Sequence, residues 1–173
     1  MIIKGITDEC FSDYKRPSMF IAMPICSFKC DKENGCQLCQ NSSLVNEPNI
    51  EIGKEQLIER FMTNPITEAI VFGGLEPFDS ILDLSSFIDC ARRQYGCEAP
   101  IIIYTGYTEE EIMSGNFGIG GGGLALKSLV DNIISAGHII IKFGRFRPNQ
   151  EKHYDPILGV VLSSPNQYAR EYE

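Results

Sequence analysis

Four short apolar runs constrain what this chain can fold into. MFIAMPIC (19–26), EAIVFGG (68–74), PIIIYTG (100–106) and HIIIKFG (138–144) are apolar almost throughout rather than alternating. That is the pattern of buried strands in a sheet covered by helices. Stretches with helical spacing lie between them. Leu57, Ile58 and Phe61 predict a helix over Lys54–Met62. Ile81, Leu84, Ile88 and Ala91 predict another to about Tyr95, closed by Gly96, with Asp79 and Ser80 offering its N-cap. Thr108 followed by Glu109, Glu110 and Glu111 predicts a short capped helix, and Leu124–Ala136 one ended by Gly137. LGVVL (158–162) is a candidate fifth strand, and residues 1–18 show no strong period. The alternation predicts an α/β fold with a parallel sheet and right-handed crossovers.

In such a sheet the ligand sits beyond the carboxyl ends of the strands. Four unusual loops begin there: the cysteine-rich segment, GGLEP, TGYT and FGRF. They are expected to converge on one edge. Two glycines in GGLEP let the backbone turn sharply and approach a ligand, and Glu76 could hold a cationic amine.

The cysteine segment, PICSFKCDKENGCQLCQNSS, has the spacing Cys26-x3-Cys30-x5-Cys36-x2-Cys39. Thiolates are soft ligands that select zinc, copper(I) or iron–sulfur clusters. Three of them suit a cluster with one iron left open, and four suit a closed structural site such as zinc. An acidic chain, net charge −8, argues against general binding to nucleic-acid backbones. The apolar fraction of 43% over 173 residues predicts one globular domain. No apolar run approaches the length of a membrane span, and Asp8 and Glu9 come too early for a secretory signal. A cytoplasmic, reducing setting is the expectation, in which clustered cysteines read as metal ligands before disulfides.

The order of these motifs resembles the radical S-adenosylmethionine (SAM) enzymes, whose usual pattern is Cys-x3-Cys-x2-Cys followed by a Gly-Gly-Glu-Pro loop. IIIYTGYTEEEI (101–112), IIIKFGRFRPNQ (139–150) and LGVVLSSPNQ (158–167) narrow the resemblance to the anaerobic ribonucleotide reductase activating proteins. It implies a small incomplete parallel (β/α) barrel in one domain over 1–173, with its core at about 19–144 and the segment 145–173 packed on it. It implies a [4Fe–4S] cluster on three cysteines, with SAM on the fourth iron, whose reductive cleavage yields a 5′-deoxyadenosyl radical. The activity implied is formation of a glycyl radical on the catalytic subunit of an anaerobic ribonucleotide reductase, with an electron donor such as flavodoxin and with neither nucleic acid nor membrane as partner.

By motif, the resemblance assigns Cys26, Cys30 and Cys39 as cluster ligands, with Leu38 before the last and Asn41 two residues after it. Cys36 is the alternative ligand, in a competing set of Cys30, Cys36 and Cys39, because the loop is six residues longer than the family's. Gly73, Gly74 and Glu76 match the SAM-amine loop if Leu75 is an insertion. Thr105 and Gly106 fall where the nucleoside is contacted, and Lys142 and Arg145 are candidates for the SAM carboxylate or the partner. Two alternatives stand beside this: a radical SAM enzyme acting on a small molecule, of the deazaguanine-forming kind, and a non-catalytic zinc or iron–sulfur module held by all four cysteines. Cys10, Cys90, Cys97, His138 and His153 are expected to hold no metal. GNFGIGGGGLALKS (115–128) fails as a phosphate loop because Leu126 stands where Gly should precede Lys127 and Ser128, and is expected to be a flexible loop.

Overall fold

The computed structural model describes residues 1–118 and 122–173. In chain order the strands are β1 (Ile2–Ile3), β2 (Gly5–Cys10), β3 (Ser18–Met23), β4 (Ile50–Glu51), β5 (Ala69–Gly74), β6 (Ile101–Tyr104), β7 (Ile139–Phe143), β8 (His153–Asp155), β9 (Val160–Leu162) and β10 (Tyr168–Tyr172). The helices are α1 (Lys29–Asn34), α2 (Lys54–Thr63), α3 (Ile81–Arg93), α4 (Glu109–Ser114) and α5 (Leu124–Ser135).

One six-stranded mixed sheet, ordered β10-β7-β6-β5-β3-β2, carries the fold. Its four inner strands are parallel and are the four apolar runs of the sequence, while β2 and β10 pair antiparallel at the edges. The inner order follows the chain without reversal. Crossovers of one hand therefore put the helices on one face. On that face Ile21, Ile70, Phe72, Ile103 and Ile141 pack against Leu57, Phe61, Leu84, Phe87, Val130 and Ile133 of α2, α3 and α5. Phe72 and Phe87 meet edge to face at 5.0 Å, a geometry that adds about 1 kcal/mol beyond area burial.

The opposite face has a smaller core. Ala69, Val71, Ile102 and Ile140 are covered by Tyr14 and by Leu158 and Leu162. LGVVL therefore forms no further strand of the main sheet: β9 pairs with β8 in a separate hairpin that lies over this face. The strands that flank the parallel core come instead from segments without an apolar run, GITDEC and YAREY. An edge strand is buried on fewer sides and needs no continuous hydrophobicity.

The result is a mixed α/β domain with a mostly parallel, open sheet. Among the described residues no helix is long and apolar enough to cross a membrane. The capping box at Thr108 forms, with the Glu111 N–H donating to Thr108 Oγ1 at 3.2 Å and the Thr108 N–H to Glu111 Oε2 at 2.9 Å. The cap offered by Asp79 does not: its carboxylate turns to the cysteine loop instead. Cys90 and Cys97 are buried in the core. Of the glycine-rich loop over 115–123, residues 119–121 lie outside the described residues.

Candidate iron–sulfur site

Period-two alternation selects what faces the carboxyl-end cavity. In β5, β6 and β7, Ile70, Phe72, Ile103 and Ile141 point to the helices, so Gly73, Tyr104 and Lys142 point the other way. Register then brings Tyr104 beside Lys142. A cavity of about 380 Å³ opens here, lined by Cys26, Cys30 and Cys39 together with Gly73, Gly74, Glu76, Thr105, Gly106 and Lys142. The four loops named from the sequence do converge. A second cavity, about 480 Å³, lies beside Cys26 and is lined by Lys29, Lys32, Tyr107 and Phe117. It reaches one cysteine only.

The enlarged cysteine loop has its own architecture. Phe28, at φ 51°, starts α1, and Gly35, at φ 70°, ends it. The chain then doubles back because Asp31 Oδ1 accepts the N–H groups of Leu38 at 3.0 Å and Cys39 at 2.9 Å. That fold returns Cys39 to the cavity and leaves Cys36 exposed outside it, where its thiol meets, among the described residues, only the Asn34 carbonyl at 3.5 Å. The Cys26 sulfur accepts the Phe28 backbone N–H at 3.2 Å.

The cysteine and Gly-Gly loops are stitched together. Glu76 N–H donates to the Ile25 carbonyl at 2.9 Å, Asn41 Nδ2 to the Gly74 carbonyl at 2.8 Å, and Ser27 N–H to Asp79 Oδ2 at 2.5 Å. Asp79 also accepts from Tyr107 Oη at 2.7 Å. Gly106 is pressed against the first of these loops, since a Cβ there would meet Cys30 Sγ at 3.0 Å. Gly74, at φ 76°, leaves no room either: a Cβ would meet Ala22 at 3.0 Å.

Burial sets the electrostatics. It pushes the Cys26 thiol up to about 12 and raises Cys30 and Cys39, against the backbone N–H groups that favour their thiolates. Without metal these thiols stay protonated at neutral pH, so loading releases protons. Burial also raises Glu76 to about 7, although Thr105 Oγ1 (2.7 Å), Gly106 N–H (2.8 Å) and Phe78 N–H (3.1 Å) all donate to it. It lowers Lys142 to about 8, although Glu76 and Cys30 oppose the shift. Lys142 Nζ donates to the Gly144 carbonyl at 3.1 Å and forms no ion pair with Glu76 among the described residues.

Residues 16–163 match the model of a 4Fe-4S single cluster domain. The chain belongs to the 4Fe-4S single cluster domain family. Searches of curated proteins and of solved structures give no match. Membership supports a [4Fe–4S] cluster as the cofactor, and the residues present fit one: three soft thiols on one cavity, an amide at the Cys26 sulfur, and glycine where Cys30 needs space. Among the described residues no three His, Cys, Asp or Glu side chains are gathered tightly enough for a single metal ion. Cys10, His138 and His153 lie off the cavity wall.

Arg145 is also absent from that wall. Its guanidinium pairs instead with Glu111 and Glu33. Sequence reasoning missed Asp31, Asp79 and Tyr107. Asp31 carried a usable signal, because an Asp inside a loop is a natural acceptor for nearby backbone amides. Asp79 was masked by its equally good position for an N-cap.

Proposed function

We propose that this iron–sulfur protein is a radical SAM oxidoreductase whose cluster is held by Cys26, Cys30 and Cys39. The observation that carries the reading is the burial of Glu76 and Lys142, unpaired with each other, in the same cavity as three cysteines. Burying an acid and a base separately costs the empty fold. A ligand bearing both an ammonium and a carboxylate would offset that cost, and the amino-acid end of SAM is such a group. With cluster and SAM bound, the pair supplies one-electron cleavage of the sulfonium.

The protein's own residues do the rest. Glu76 orients the amine through a carboxylate already fixed by Thr105 and Gly106. Lys142 meets the carboxylate, Gly73 and Gly74 let the ligand approach the backbone, and Thr105 and Gly106 border the nucleoside. The hairpin β8–β9 and the wall from Val160 to Ser163 exclude water from one side. The open sheet supports a protein segment as substrate, and the sequence resemblance makes that segment the glycine site of an anaerobic ribonucleotide reductase, with a donor such as flavodoxin supplying the electron. A closed four-cysteine zinc site is the weaker reading because Cys36 lies outside the cavity.

Anaerobic reconstitution followed by SAM and dithionite tests this in two stages. Formation of 5′-deoxyadenosine is expected from the protein alone, and a glycyl radical by electron paramagnetic resonance when the reductase is added. A loaded protein that leaves SAM intact would remove the radical SAM reading. Cleavage without a glycyl radical would remove the activase assignment and leave the rest.

A further inference from the structure

We propose that Arg145 is the positioning residue of the cysteine loop, a role that rests on the cluster-binding reading above. The helix α1, which carries Cys30 into the site, has little of its own to hold it. It spans six residues, buries none of them and lacks a side-chain cap at its N-terminus. A helix that short is unstable in isolation, so contacts from outside must place it.

Arg145 supplies them from a nearly buried position. Its Nε lies 2.7 Å from Glu33 Oε2 on α1, an ion pair bent away from hydrogen-bond direction. Nη1 donates to the Gly106 carbonyl at 2.8 Å and to Glu111 Oε2 at 2.7 Å, and Nη2 donates to Glu111 Oε1 at 2.7 Å. Glu111 in turn pairs with Lys29, also on α1. One guanidinium therefore reaches α1 directly through Glu33 and indirectly through Glu111 and Lys29. It also fixes Gly106, the residue against Cys30 Sγ. Only a planar fork of five donors can serve these sites at once.

Arg145 is itself held. Asn166 Nδ2 donates to its carbonyl at 2.8 Å. The preceding Gly144, at φ 101°, has Asn166 O only 2.3 Å from where a Cβ would sit. The C-terminal SSPNQ segment thus acts on the cluster site through the Arg145 backbone, without lining the site at Asn166.

The test compares Arg145→Met, Arg145→Lys and Glu33→Gln with the wild type. Two readouts are used: the rate of cluster loss to a chelator after anaerobic reconstitution, and amide exchange of Leu38 and Cys39 in the iron-free protein. Removing a group that orients metal ligands typically costs about 10–100-fold in metal retention. Arg145→Met is expected to fall in that range, Arg145→Lys to rescue it in part, and Glu33→Gln, whose side chain is half exposed, to fold normally and show a smaller loss. Amide exchange should rise in the same order. If Arg145→Met fails to fold, the other two variants decide. Wild-type cluster retention and wild-type exchange in both would overturn the proposal. A wild type that takes up no cluster would defeat the cluster reading instead, while exchange in the iron-free protein still reports on the Arg145 contacts.

Discussion

The carboxylate of Asp31 accepts the backbone N–H of Cys39 at 2.9 Å. This one hydrogen bond, with its partner from Leu38, decides which cysteines share the cavity. It turns the cysteine loop back so that Cys39 lines the cavity with Cys26 and Cys30, and it places Cys36 on the outside of the turn.

Asp31→Ala should therefore loosen the third cysteine. Two amide donors lose their acceptor, a local cost of about 1–3 kcal/mol. Cluster retention under chelator challenge, read by visible absorption and iron content, is expected to fall about tenfold or more. Asp31→Asn keeps one acceptor oxygen and should fall between the variant and the wild type. Equal retention in all three would mean that Cys39 is held by other contacts or is no ligand.

Cys36→Ser should load with iron and sulfide like the wild type, whereas Cys26→Ser, Cys30→Ser and Cys39→Ser should each load poorly. Metal and sulfide per chain measure this directly. Loss of loading with Cys36→Ser and survival with Cys39→Ser would put Cys36 in the place of Cys39 in the ligand set.

Glu76 makes the iron-free protein sensitive to pH. Burial raises its carboxyl to about 7, so the folded state holds a proton that the unfolded chain has already released. Stability from this group is full below the ordinary glutamate range, near pH 4.5, and is lost as pH rises towards 7, a change on the order of 3 kcal/mol. Denaturant melts between pH 5 and 8 should show this slope in the wild type and its loss in Glu76→Gln. The slope is the readout rather than the absolute stability, because one of three accepting contacts becomes donor against donor in the amide.

Gly106→Ala separates cluster loading from folding. Its Cβ would crowd Cys30 Sγ at 3.0 Å and approach Glu76 Oε2 at 3.6 Å, both side-chain atoms that can give way in the iron-free protein. Thermal stability without iron is expected to change by about 1 kcal/mol or less, while cluster uptake falls clearly. A variant that loads normally would show that the Cys30 sulfur has room to move.

The parallel core was legible in the sequence because a strand covered on both faces is apolar at almost every position. MFIAMPIC, EAIVFGG, PIIIYTG and HIIIKFG became β3, β5, β6 and β7, and the loops after them met as their positions required. The helices α2, α3 and α5 were legible for the same reason, through one apolar stripe each. GITDEC and YAREY were not, since an edge strand draws its order from the neighbour it pairs with rather than from its own composition.

At the site, the sequence by itself determined the chemistry: clustered thiols, a glycine pair, and an acid beside them. Tertiary structure alone decided which side chains share the cavity. Lys142 faces it because register with Tyr104 and a period of two put it there, and Arg145, three residues on, turns to Glu111 and Glu33 instead. Asp79 left its helix cap for Ser27 and Tyr107. Cys36 was excluded by a carboxylate eight residues before Cys39 in the chain. Lys142, Arg145 and Asp79 chose among partners that are distant in sequence, and a local pattern holds no information about which distant partner is nearer.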